Sequence, residues 1–60
     1  MNNKFNIGNL VIYNSGRTRR SGEIKEVKLN EQGEVIYLVY LVSFSDTDLV
    51  WVSEKYLEEF

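Results

Sequence analysis

The sequence predicts an all-β protein, a very small five-stranded antiparallel barrel with one short helical turn before its last strand. Three observations carry that expectation. Apolar runs rich in Val, Ile, Leu and Tyr recur at strand length, the segments between them are short and rich in Asn, Ser, Gly and Asp, and no stretch has the length and period of an ordinary helix. Gaps this short join antiparallel neighbours, since a parallel crossover needs about a dozen residues or more.

The first strand is LVIYN, residues 10 to 14, and it runs into the turn-forming NSGRTRRSG. The second, SGEIKEVKLN at 21 to 30, breaks strict alternation, because Ile24 and Val27 lie an odd number of residues apart. A bulge near Lys25 and Glu26 puts Ile24, Val27 and Leu29 on one face, and its bend is what a very small barrel needs to close. After NEQG comes EVIYLVYLVSF at 34 to 44, then the turn SDTD, then LVWVS at 49 to 53. Ser53 to Leu57 reads as a single helical turn with Ser53 at its cap, and LEEF forms the last short strand.

The whole chain, residues 1 to 60, is expected to form one domain, and a domain of this size buries only about 60% of the surface its unfolded form exposes. With no Cys and no His, disulfides, thiolate chemistry and the usual zinc ligands are excluded, and no metal site or cofactor is expected. No apolar run has signal-peptide or bilayer-spanning length, so the expected location is the cytoplasm, away from membrane.

Plan and residues together resemble the small SH3-like barrels of the Tudor and KOW type, and short phage-encoded barrel proteins. The likeness rests on IGNLVIY, SGEIKEV, YLVSF and WVSEKYLE, and covers about residues 6 to 59. It implies the barrel fold and not the function, which must be argued from a site. A phage or mobile-element origin is expected because such genes often encode short single-domain chains.

Charge is unevenly placed. Residues 1 to 30 carry six cations and two carboxylates, and residues 31 to 60 carry one cation and seven carboxylates. The acidic half disfavours long nucleic acid, whose affinity comes largely from phosphate neutralisation. Polarisation of this kind serves a local anion site, contact between copies, or an internal match of basic and acidic strands.

In the third strand Val35, Tyr37, Val39 and Leu41 face one way and Ile36, Leu38, Tyr40, Val42 and Phe44 the other, so both faces are apolar. One face then needs a cover beyond the barrel interior. The expected cover is another copy of the chain, with Ile36, Leu38, Tyr40 and Val42 at a homo-oligomer interface. The alternative is that Phe5, Leu57 and Phe60 fold over it.

Chemistry is sparse. Without His or Cys, general acid-base and nucleophilic catalysis lose their commonest agents, and the chain is expected not to be an enzyme. Asp46 and Asp48 fit hairpin geometry and lack the further oxygen ligands of a calcium loop. GRTRRSG lacks the lysine and the helix of a phosphate-binding loop, but Arg17, Arg19 and Arg20 are permanent forked donors suited to phosphate or carboxylate. Tyr13, Trp51 and Tyr56 are the candidate stacking partners; as a lone Trp in an apolar strand, Trp51 suits the core better than a site, and the arginines suit solvated or ion-paired roles slightly better than ligand contact.

The expectation is a non-enzymatic module that binds or sequesters a small phosphate-bearing ligand, a nucleotide or nucleotide-derived immune signal, as an anti-defence protein would. The alternatives are an adaptor or inhibitor that binds a host protein, and a nucleic-acid-binding regulator.

Overall fold

A computed structural model describes residues 4–42 and 47–60. Five strands, β1 (Leu10–Asn14), β2 (Arg19–Leu29), β3 (Val35–Val42), β4 (Thr47–Ser53) and β5 (Leu57–Glu59), form one antiparallel sheet in the order β4-β3-β2-β1-β5. A single 3₁₀ turn, Glu54–Tyr56, precedes β5. This is the element order expected of a small five-stranded barrel.

Turn chemistry sets the hairpins. Between β1 and β2 the Asn14 side chain accepts the Gly16 N–H, Ser15 donates its N–H to the Thr18 carbonyl, and Gly16 takes the positive φ of 91° that a side chain would resist. Between β2 and β3 the Asn30 side-chain oxygen accepts the N–H groups of Gln32 and Glu34, and Gly33 again supplies a positive φ of 79°.

β2 begins two residues earlier than the sequence implied. Arg19 and Arg20 lie in the strand opposite Asn14 and Tyr13, and only Arg17 of the three arginines sits in the turn. The expected bulge is present, since pairing with β3 slips between Ile24 and Glu26 and leaves Lys25 as the extra residue. The slip returns Val27 to the inward face opposite Tyr37, while Leu29 runs past the end of the core and is exposed. Ser53 sits at the entrance to the 3₁₀ turn but makes no side-chain cap hydrogen bond.

The core is Phe5, Val11, Ile24, Tyr37, Val39, Leu41, Val52 and Leu57. Phe5 meets the Tyr37 ring edge-on at 5.7 Å between centroids. Gly22 lies between Val11 and Leu41, and a Cβ there would stand 2.7 Å from the Tyr40 carbonyl oxygen and 2.8 Å from Val39 Cγ1. Glycine at this place lets the sheet close tightly over its own side chains.

Phe5 and Leu57 are therefore buried inside, on the Tyr37 side of the sheet. They do not cover the Ile36–Val42 face, and Phe60 is 72% exposed. Cover of that face by Phe5 and Leu57 is excluded because the core itself takes up both side chains.

Candidate functional site

Opposed residues of antiparallel strands share a face, so the pairing register defines the outward surface. One row across it reads Leu10, Glu23, Tyr40 and Leu49, on β1, β2, β3 and β4. A second row sets Glu26, Leu38 and Trp51 side by side, and a third sets Lys28, Ile36 and Ser53. Ile36 and Leu38 are half-buried, while Tyr40, Val42, Leu49 and Trp51 are 37%, 51%, 56% and 40% exposed.

Small residues on β2 open a groove in this surface. Ser21 and Gly22 floor it, Leu10 and Phe60 stand on one side, Tyr40 and Val42 on the other, and it encloses about 280 Å³. Two lysines lie over the aromatic rings beyond it: Lys28 Nζ is 4.2 Å from the centre of Trp51, and Lys25 Nζ is 5.6 Å from that of Tyr40. In both, the ammonium group lies over the ring, the placement of a cation–π contact. Lys25 also pairs with Glu23 at 3.2 Å.

The arginines do not converge. Arg17 is exposed at the hairpin tip. Arg19 donates to Glu58 at 3.3 Å, on a carboxylate that also accepts from the Asn14 amide at 2.7 Å. Arg20 points to the inward face and donates through Nη1 to Asp48 at 3.1 Å, linking β2 to β4 beyond Leu41. Its Nε and Nη2 groups are out of water and have no acceptor among the described residues. In these two pairs the basic half of the chain meets the acidic half internally.

Of the expected stacking partners, Tyr13 and Tyr56 do come together, edge to face at 6.3 Å, and Tyr13 lies opposite Arg20. Trp51 lies on the outward face with Leu38 and Tyr40, and takes no part in the buried core. Its placement follows from parity, because inward-facing Val50 and Val52 leave position 51 outward. The same parity exposes Leu49, a position that alternation from Val52 marks as outward in the sequence itself. Phe44 and Asp46 lie outside the described residues.

A second polar cluster gathers at the other end of the fold. The Tyr37 hydroxyl accepts the Phe5 N–H at 3.2 Å and donates to Glu54 at 2.5 Å, and the Lys4 N–H reaches the same carboxylate at 3.4 Å. Burial, and then the hydrogen bond to Glu54, hold the Tyr37 phenol above its ordinary pKa of 10.0. This network anchors the segment that carries Phe5 and offers no activated nucleophile. Among the described residues no three carboxylates gather as metal ligands.

Comparison with protein-family models, curated proteins and solved structures gave no match.

Proposed function

We propose that this chain is a non-enzymatic binding module of the small SH3-like barrel kind, which docks a protein partner on the outward face of β3 and β4. The supporting observation is the apolar surface of exposed Tyr40, Val42 and Trp51 beside half-buried Leu38, continued across the groove by Leu10 and Phe60. Single exposed apolar residues are ordinary, whereas a patch of several hundred Å² rimmed by charge marks a binding surface. Tyr and Trp at its centre suit the anchor positions that dominate binding energy. Adaptor or inhibitor of a host protein in the cytoplasm, carried by a phage or mobile element, is the biological setting proposed.

The test is affinity capture from the native host with the wild-type chain and with Tyr40→Glu, both verified as folded by circular dichroism. A defined protein retained by the wild type and lost by Tyr40→Glu is the expected result. Equal retention by both would remove the face from the proposal.

A second reading is favoured by the Nε and Nη2 groups of Arg20, which are out of water with no acceptor among the described residues and lie on the strand opposite Tyr13, itself packed on Tyr56. Donors left without acceptors cost about 1 to 3 kcal/mol each, and a small phosphate-bearing ligand would satisfy them. Phosphate or AMP titrated into the labelled chain should then shift the Arg20 side-chain resonances and leave those of Trp51 unmoved. No shift at millimolar ligand would discard this reading.

A further inference from the structure

The two edges of the sheet are built differently. β5 is three residues long and carries Glu58 and Glu59, both features that discourage another strand from pairing with it. β4, at the other edge, is seven residues long and reads TDLVWVS, with no Lys, Arg, Pro or Gly. Its register with β3 runs unbroken from Ser53 to Thr47, so no bulge turns it aside. On its outer side no backbone hydrogen bond among the described residues takes up its N–H and C=O groups. The one charged residue, Asp48, is drawn to Arg20.

An edge of this kind templates a strand, and its own sequence is a good match for itself. We propose that a second copy of this chain pairs antiparallel along β4, about a two-fold axis that passes through Val50 normal to the sheet. Opposite residues then share a face, as antiparallel pairing requires. Leu49 of each copy stands against Trp51 of the other on the outward side, an apolar cross-strand pair, and Val50 meets Val50 on the inward side. Thr47 stands against Ser53, where two hydroxyls can hydrogen-bond. The two Asp48 carboxylates are four residues out of step, roughly 13 Å apart at about 3.3 Å per residue, so they do not repel across the seam.

The self-match argues for a copy over an unrelated strand. A partner of strong charge finds nothing to pair with along Leu49 to Ser53, whereas a second β4 presents the same alternation in reverse. An isologous pair also closes after two copies and leaves the guarded β5 edges outermost, so the sheet stops at ten strands. The paired length, roughly 23 Å for seven residues, gives a contact at the small end of the specific range, below about 1,200 Å² in total. The dimer is accordingly expected in the micromolar range. This inference stands on the bare edge and its register, independent of the docking face, although pairing would join the outward faces of the two copies.

Sedimentation of the full chain from micromolar to millimolar concentration tests it. The wild type should pass from monomer to dimer, and Leu49→Lys, which changes a residue 56% exposed, should stay folded and weaken the dimer at least about ten-fold. The chain contains no Cys, so Val50→Cys gives a single thiol. Directly opposed Cα atoms lie about 4.5 to 5.5 Å apart, within disulfide reach, so mild oxidation should cross-link Val50→Cys far faster than Leu10→Cys on β1. A wild type that remains monomeric throughout overturns the proposal. So does a dimer that Leu49→Lys leaves intact and that Leu10→Cys cross-links preferentially, since that contact would lie on the face. Capture of a protein partner by a strictly monomeric chain would keep the docking reading and end this one.

Discussion

Tyr37 shows how one residue ties packing to polar chemistry. Its ring fills the core, and its hydroxyl joins Phe5 to Glu54. Burial first, and the Glu54 hydrogen bond next, raise its pKa above 10.0, so the folded chain keeps this proton to higher pH than the unfolded chain does. The resulting stability is complete below pH 10 and is lost as pH rises through the folded value. Tyr37→Phe should cost about 1 kcal/mol at neutral pH through its lost hydrogen bonds, yet flatten the alkaline fall in stability. Urea midpoints between pH 8 and 11 check this, and parallel curves for the two proteins would contradict it. Alternation made Tyr37, Val39 and Leu41 legible as one face of β3, but the opposite face is as apolar, and which of the two turns inward is set by the fold. The hydroxyl's partners were not legible, since residues 5 and 54 reach it only through the closed fold.

At the scale of the element, β2 holds the information that bends the sheet. Ile24 and Val27 both face inward only because Lys25 is an unpaired extra residue. The parity break made that bulge visible from sequence, and β1 has the bounds its turn residues implied, whereas β4, like β2, begins two residues early and takes Thr47 and Asp48 of the expected turn into register with Val42 and Leu41. The start of β2 was hidden because three arginines look like turn composition, while the structure holds Arg19 and Arg20 in register against Asn14 and Tyr13. Backbone pairing to a preformed β1 outweighed local composition there. The side chain of Lys25 matters far less than its presence. Lys25→Ala should change stability by no more than about 0.5 kcal/mol, the usual range for exposed positions. Deletion of Lys25 would leave Ile24 and Val27 inward and Glu26 outward in an unbroken ladder but would remove the bend that the bulge gives β2, so the thermal midpoint should fall while the transition stays cooperative. A deletion variant that melts like the parent would show that the bulge is dispensable.

Across the whole molecule, the charge asymmetry of the sequence becomes a set of internal contacts. Arg19 reaches Glu58 and Arg20 reaches Asp48, each pair joining the basic half to the acidic half. The sequence revealed the asymmetry but could not choose between a ligand site and an internal match, because the two acids lie 39 and 28 residues away along the chain. The two pairs differ in setting. Arg19 is 62% exposed, where solvent screens the pair and side-chain entropy opposes it, and such pairs contribute about 0.2 to 1 kcal/mol. Arg20 is 24% exposed and has donors already out of water, so removing Asp48 leaves more of its cost uncompensated. Double-mutant cycles by thermal melting should therefore give a larger coupling for Arg20 with Asp48, about 1 kcal/mol or more, than for Arg19 with Glu58. The Arg19 coupling should also fade in 1 M salt, where the screening length is about 3 Å, while that of Arg20 persists. Equal couplings with equal salt dependence would mean that both arginines are solvated surface charges, and the Arg20 donors that lack an acceptor among the described residues would then carry no argument for a bound anion.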